Sequence, residues 1–184
     1  HPIKLIHTRH EAATVHMADA YARLSGKVGI AMVTGGPGHA NAVSALYTAA
    51  MAEAPVVLLS GHAPLNQLGK GAFQEMSQAD IAAPLCKASW TCAGPQYLAA
   101  DFELACAIAQ SGRPGPVHLS LPSDALENPL PAASVTPSPG VPKLESNSLL
   151  SPENTRLIVT QLCAAQKPVV LVGPRGCYQF AKEL

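Results

Sequence analysis

The sequence predicts an α/β fold, a parallel sheet flanked by helices, followed by the start of a second α/β domain. Three observations carry this. Short apolar runs alternate with segments of helical periodicity, the pattern of β-α-β units and a parallel sheet. Hydrophobic residues make up 48% of the chain while aromatics are 4% and charged residues 13%. The core must then come from Ala, Val, Leu and Ile, as in helices packed on a sheet buried on both faces. Finally, Asn128 to Pro152 lacks periodicity and is dense in Pro, Ser and Asn, so it reads as a semi-extended linker. The expected organisation is a domain over residues 1–127, a linker over 128–152 and the start of a second domain over 153–184.

Taken in order, Ile3 to His7 is an apolar run that reads as a strand. Thr8 starts a helix whose apolar positions (Ala12, Val15, Ala20, Leu24) fall at helical spacing, and Gly26 ends it. Val28 to Val33 is the next strand, followed by Thr34-Gly35-Gly36-Pro37-Gly38 and a small-residue helix from about His39 to Glu53. Val56 to Ser60 is a strand ended by Gly61, and residues 63–70 are loop. Phe73 to Ala82 reads as a short helix stopped at Pro84, and Lys87 to Thr91 as a strand. Tyr97 to Gln110 is a helix, and Val117 to Leu121 a strand set up by Gly112-Arg113-Pro114-Gly115-Pro116. Beyond the linker, Glu153 to Gln166 is a helix with Ser151 as its cap and Pro152 in its first turn. Val169 to Val172 is a strand turning at Gly173-Pro174-Arg175-Gly176.

Composition narrows the function. Lys plus Arg and Asp plus Glu are 12 each, so no basic face is implied and neither nucleic acid nor an anionic membrane is an expected partner. No apolar run reaches the roughly 18 residues of a membrane span. The opening residues His1-Pro2-Ile3-Lys4-Leu5 carry no signal-peptide pattern and read as the interior of a longer chain. The five cysteines show no C-x-x-C spacing. Free thiols in a reducing cytoplasm are expected, and no metal site is assigned.

In an open parallel sheet, ligands bind beyond the carboxyl ends of the strands. Thr8-Arg9-His10-Glu11 therefore has two readings. It is a capping box, in which Glu11 bonds back to the cap amide. It also places a carboxyl at the cleft as a proton donor and acceptor. Thr34 to Gly38 exposes backbone N–H groups at a helix start, or simply permits a tight turn; it is neither G-x-G-x-x-G nor a Walker loop. His7 and His10 form H-x-x-H without the i, i+4 geometry of a helical metal site. His39 and His62 sit at strand ends as pocket-wall candidates.

Read together, these segments resemble a known family. Thr8-Arg9-His10-Glu11-Ala12-Ala13, Met17 to Arg23, and Gly26-Lys27-Val28-Gly29 resemble the start of the thiamine diphosphate (ThDP) binding core of acetolactate synthase large subunits. Thr34 to Gly38 with Asn41 is similar to that family's T-S-G-P-G-x-x-N loop. Gly71-Ala72-Phe73-Gln74-Glu75, Lys87, Gly112 to Val117, and Leu121-Pro122-x-Asp124 are similar to its later landmarks, in family order. The resemblance implies a ThDP pyrimidine-binding domain whose first strand and helix precede His1. Glu11 would hydrogen-bond N1′ of the aminopyrimidine and so promote loss of the thiazolium C2 proton. The ring then attacks a 2-keto acid, carbon dioxide leaves, and the ring holds the electrons. Gly36, Pro37, Gly38 and Asn41 would meet the pyrimidine ring. Gln74 would lie near the reacting centre, with His62, Phe73 and Lys87 as substrate-pocket candidates. His62 stands where synthases often have Gln. Arg113 matches a residue that helps hold FAD in synthases, so FAD stays open as a further cofactor. Mg²⁺ and the diphosphate would be bound by a Gly-Asp-Gly…Asn motif in a later domain that these 184 residues lack. A homodimer or homotetramer is implied. The alternatives are a ThDP-dependent 2-hydroxyacyl-CoA or oxalyl-CoA lyase, and a non-catalytic binding or assembly domain of the same fold.

Overall fold

Four strands form one all-parallel sheet: β1 (Gly29–Val33), β2 (Val56–His62), β3 (Ala88–Thr91) and β4 (Val117–Pro122), in the order β1-β2-β4-β3. The computed structural model describes residues 3–130, 151–169, 171 and 173. Contacts divide the chain into two units, His1–Pro142 and Lys143–Leu184. The sheet belongs to the first. Its register aligns Gly29 with Val56, Val57 with Val117, and Ala88 with Val117. All four carboxyl ends therefore open on one edge, where the site residues gather.

Helices cover both faces of the central strands β2 and β4, which is why these read as unbroken apolar runs, while Ile30 and Met32 of the edge strand β1 stay exposed on one face. Successive strand residues point to opposite faces. Val56 and Leu58 of β2 join a cluster with Val15, Ala18 and Ala22 of α1 (Glu11–Ser25) and with Ala42, Leu46 and Ala49 of α2 (Pro37–Met51). Val57 and Leu59 face the other way, into a cluster with Ala105 and Ala109 of α4 (Leu98–Gln110) and with Val117 and Leu119. The alanine content has a geometric purpose. A Cβ at Gly29 would run into the backbone of Ala18, so α1 lies directly against β1. The short helix α3 (Gln78–Ala82) packs against β3 and β4.

Several expectations change. Residues 3–7 form no strand; Ile3, Leu5 and Ile6 are exposed and pair with no strand among the described residues. The helix expected over Phe73 to Ala82 shrinks to α3, because Gln74 takes a left-handed φ of 59° that no helix can contain. The second helix begins at Pro37 rather than His39, with proline in its first turn. Lys87 precedes β3 rather than starting it. One helix was not anticipated, α5 (Ser123–Glu127) after β4.

In the second unit, α6 (Pro152–Ala164) is capped as expected: Ser151 Oγ accepts from the Asn154 N–H at 3.1 Å. Val169 and Leu171 are not in a strand. Val170, Val172 and the turn at Pro174 to Gly176 lie outside the described residues, as do linker residues 131–150 and Cys177.

Candidate pyrimidine-binding site

Glu11 is the first residue of α1, and its local setting settles the capping question. The cap is His10, whose Nδ1 accepts the Ala12 N–H at 3.1 Å. Thr8 is engaged elsewhere, donating Oγ1 to the His10 carbonyl at 3.0 Å and sharing a 2.6 Å hydrogen bond with Thr14 Oγ1. Glu11 sits too early in the helix to reach back, so no capping box forms. Its Oε2 instead accepts from Asn41 Nδ2 at 3.1 Å. Its own backbone N–H at the helix start, then Asn41, hold the carboxyl below the usual carboxylate range; desolvation opposes this and loses. Glu11 is thus an ionised, oriented carboxylate, and the desolvated pocket its chemistry would require is not built by these residues alone.

The Thr34–Gly38 loop supplies the floor. Gly36 has φ 59° and ψ −118°, a region open to glycine, and it caps α2. A Cβ there would meet Gln74 Cβ at 2.8 Å and the Gln74 carbonyl oxygen at 2.9 Å. At Gly38 a Cβ would meet Thr34 Cγ2 at 2.5 Å and Glu11 Oε1 at 3.4 Å. The missing side chains leave backbone directly under the carboxylate, a surface suited to a flat ring held close to Glu11. Asn41 lies one turn further along α2. The loop thereby brings Glu11, Gly36, Pro37, Gly38, Asn41 and Gln74 to one place.

Gln74 Oε1 lies 3.4 Å from Thr34 Oγ1. Its turn is stapled by Glu75, which accepts from the Gly69 N–H and, at 3.0 Å, from the Ala72 N–H. Those amides hold the Glu75 carboxyl below its ordinary range. A cavity of about 310 Å³ opens beside the turn, lined by Thr34, Gly61, His62, Phe73, Gln74 and Ser123 among others. Phe73 is 88% exposed at its rim. His62 lies between two carbonyls, Nδ1 3.2 Å from that of Ala63 and Nε2 3.1 Å from that of Met76, and a neutral ring donates to one of them. A larger cavity of about 550 Å³ lies between the 68–72 turn and α3; it touches His62 but not Glu11.

Beneath the loop runs a buried polar layer that sequence reasoning missed. His39, expected at a pocket wall, is fully buried, with Nδ1 2.8 Å from Ser60 Oγ. His118 Nε2 is 3.2 Å from the same hydroxyl, its Nδ1 is 2.9 Å from Ser89 Oγ, and the two rings lie 4.5 Å apart. Burial, then the neighbouring His39 and His62, push His118 down to about 3, and burial lowers His39 too. Gln78, 1% exposed, joins this layer to the loop by accepting from the Gly36 N–H at 2.8 Å. The available signal was polar residues alternating inside an apolar strand, Val117-His118-Leu119-Ser120-Leu121.

Two predicted site residues lie at the opposite edge of the sheet. Lys87 Nζ donates to the Ser111 carbonyl at 2.6 Å and to the Ile108 carbonyl, closing the carboxyl end of α4. Arg113 Nε donates to Glu53 Oε1 at 2.7 Å, ahead of β4 and β2. Neither is brought near Glu11. Among the described residues no cluster of His, Cys, Asp and Glu could hold a metal, and no helix is long and apolar enough to cross a membrane.

A carboxylate at a helix start, facing a glycine floor at the carboxyl edge of a parallel sheet, gives a small ligand a charged anchor above open backbone. Residues 1–81 match the thiamine pyrophosphate enzyme N-terminal TPP-binding domain. The chain is 38% identical over 182 residues to the probable acetolactate synthase large subunit of Methanococcus aeolicus, covering 94% of this chain and 30% of that protein. It is 38% identical over 187 residues to the acetolactate synthase isozyme 3 large subunit of Escherichia coli (strain K12), covering 95% and 31%. It is also 46% identical over 124 residues to 2-hydroxyacyl-CoA lyase 2 of Danio rerio, covering 67% and 20%. The chain therefore carries a ThDP-enzyme N-terminal domain of the acetolactate synthase-like kind. It spans under a third of the length of these curated relatives.

Proposed function

We propose that this chain supplies the pyrimidine half of the cofactor site in a ThDP-dependent enzyme that decarboxylates a 2-keto acid, pyruvate first, and joins the product to a second carbonyl. The observation that carries this is the Glu11–Asn41 pair set over Gly36 and Gly38. When bound, ThDP supplies a carbon nucleophile and an electron sink. This chain's residues do the rest. Asn41 aims the Glu11 carboxylate, which shares a proton with the pyrimidine nitrogen N1′. The glycine floor and Pro37 seat the ring, and Gln74 faces the reacting centre. His62 and Phe73 border the cavity where a small keto acid fits. Glu11, partly exposed and held ionised in this structure, would lose water when a ring is seated against it, which favours its protonated form.

Mg²⁺ and the diphosphate belong, on this reading, to the part of the relatives that the chain does not cover. FAD stays a further cofactor of this reading, with Arg113, exposed and paired with Glu53, as its contact. Exposed Met17 and Tyr21 on α1, with Tyr47 and Met51 on α2, support a homodimer or homotetramer. A cytoplasmic location accords with four free cysteines among the described residues.

A second reading, a 2-hydroxyacyl-CoA lyase, is favoured by the higher identity to that relative and by His62 in place of the synthases' Gln. Incubating the full-length protein with ThDP, Mg²⁺ and pyruvate separates the two. Acetolactate formation supports the synthase, and cleavage of a 2-hydroxyacyl-CoA without acetolactate supports the lyase. Neither product sinks both.

A further inference from the structure

Gln78 sits under the cofactor loop and bonds to that loop and to two strands at once. Its Oε1 accepts from the Gly36 N–H at 2.8 Å; its Nε2 donates to the Gly61 carbonyl at 3.1 Å and to Ser120 Oγ at 3.0 Å. Its orientation is unambiguous, since an N–H must meet the oxygen and a carbonyl must meet the nitrogen. Both amide hydrogens are used. The three partners are Gly36 after β1, Gly61 near the end of β2 and Ser120 inside β4, so one side chain 1% exposed ties the carboxyl halves of β2 and β4 to the loop after β1.

Gly35 shows how tight the fit is. A Cβ there would strike the Gly61 carbonyl and come within 3.1 Å of Gln78 Oε1. Above, Gly36 lies against Gln74. The peptide between Gly35 and Gly36 is thus clamped between Gln78 below and Gln74 above, in a backbone state of φ 59°. Gly36 caps α2, and α2 carries Asn41, which aims Glu11. We propose that Gln78 is a positioning residue for the reaction: it fixes the Gly36 peptide and, through the start of α2, the Asn41–Glu11 pair against the cofactor ring. This rests on the functional reading above.

The alternative is a purely structural amide that fills a buried polar hole. The test uses the full-length protein with Gln78→Met and Gln78→Glu, and Glu11→Gln as reference. Calorimetric titration reads ThDP affinity; NMR at saturating cofactor reads deuterium exchange at C2. Gln78→Met is expected to weaken ThDP binding and slow C2 exchange by about tenfold each, the scale of a small misplacement of a reacting group. Gln78→Glu keeps the acceptor for Gly36 and, while protonated, a donor for Gly61. A buried carboxyl holds its proton to higher pH. Its exchange rate relative to wild type is therefore expected to be close to one at pH 6 and to fall as pH rises to 8, which a hole-filling role would not produce. Folded Gln78→Met with unchanged affinity and exchange overturns the proposal. If that variant does not fold, a pH-independent ratio for Gln78→Glu overturns it. Should Glu11→Gln also leave exchange untouched, the functional reading itself fails, and the positioning role with it.

Discussion

The two edges of the parallel sheet use their polar side chains in opposite ways. At the amino edge, charges close backbone: the Lys87 ammonium takes up α4 carbonyls, and Arg113 is neutralised by Glu53. At the carboxyl edge, Glu75 and Asp124 also close backbone, but around Glu11 it is neutral amides that do the positioning. Gln78 clamps Gly36, Gln74 lies on it, and Asn41 orients Glu11 without cancelling its charge. An edge built to be stable satisfies its charges internally. An edge built to act keeps one carboxylate oriented and available.

The sharpest way to break this contrast is to exchange the central group at each edge. In the full-length protein, Glu11→Gln should slow C2 exchange of bound ThDP by about 10²–10⁴-fold, the span of a lost general acid–base group. Fold and melting temperature should change little, and NMR of the bound cofactor reads the rate. Next is the layer beneath the loop. His118 stays neutral in the fold down to about pH 3, whereas an unfolded histidine takes a proton near 6.5. Its depressed value means stability is complete above about 6.5 and lost as pH falls toward 3. That loss is up to about 1.4 kcal/mol per pH unit from this ring. Urea titrations across that window should show a flatter pH slope in His118→Asn.

At Gly36, alanine forces a side chain onto the Gln74 backbone in a conformation (φ 59°, ψ −118°) that glycine alone adopts readily, costing at least about 1–3 kcal/mol of stability. ThDP affinity should fall at least about tenfold by calorimetry, since the loop must shift. The smallest effects belong to the amino edge. Lys87→Met should lower stability by about 1 kcal/mol, the worth of a cation at a helix carboxyl end. Arg113→Ala should cost under about 0.5 kcal/mol, since that side chain is 80% exposed. Neither should alter C2 exchange; a tenfold loss in either would return that residue to the site.

Much of this was legible in the chain. Strand order aside, the β-α alternation and the apolar runs are local, and they located the sheet, its helices and the Ser151 cap. That Glu11, Gly36, Gly38 and Asn41 would lie together was legible because they sit in two short contiguous motifs at strand ends. What failed was whatever depends on distant contacts. A Thr-x-x-Glu spacing could not say that His10 would take the cap. Lys87 fell at the edge away from Glu11 because matching a family landmark says nothing of the end of a strand on which a residue lies. Gln78 was invisible because its three partners are 17 to 42 positions away in sequence.

The most direct test of the central claim is a crystal structure of the full-length protein with ThDP bound. The account places N1′ of the aminopyrimidine within hydrogen-bond distance, about 3 Å, of a Glu11 carboxylate oxygen, with the ring face over Gly36 and Gly38. A cofactor ring seated elsewhere, with Glu11 bonded only to Asn41 and solvent, would contradict it.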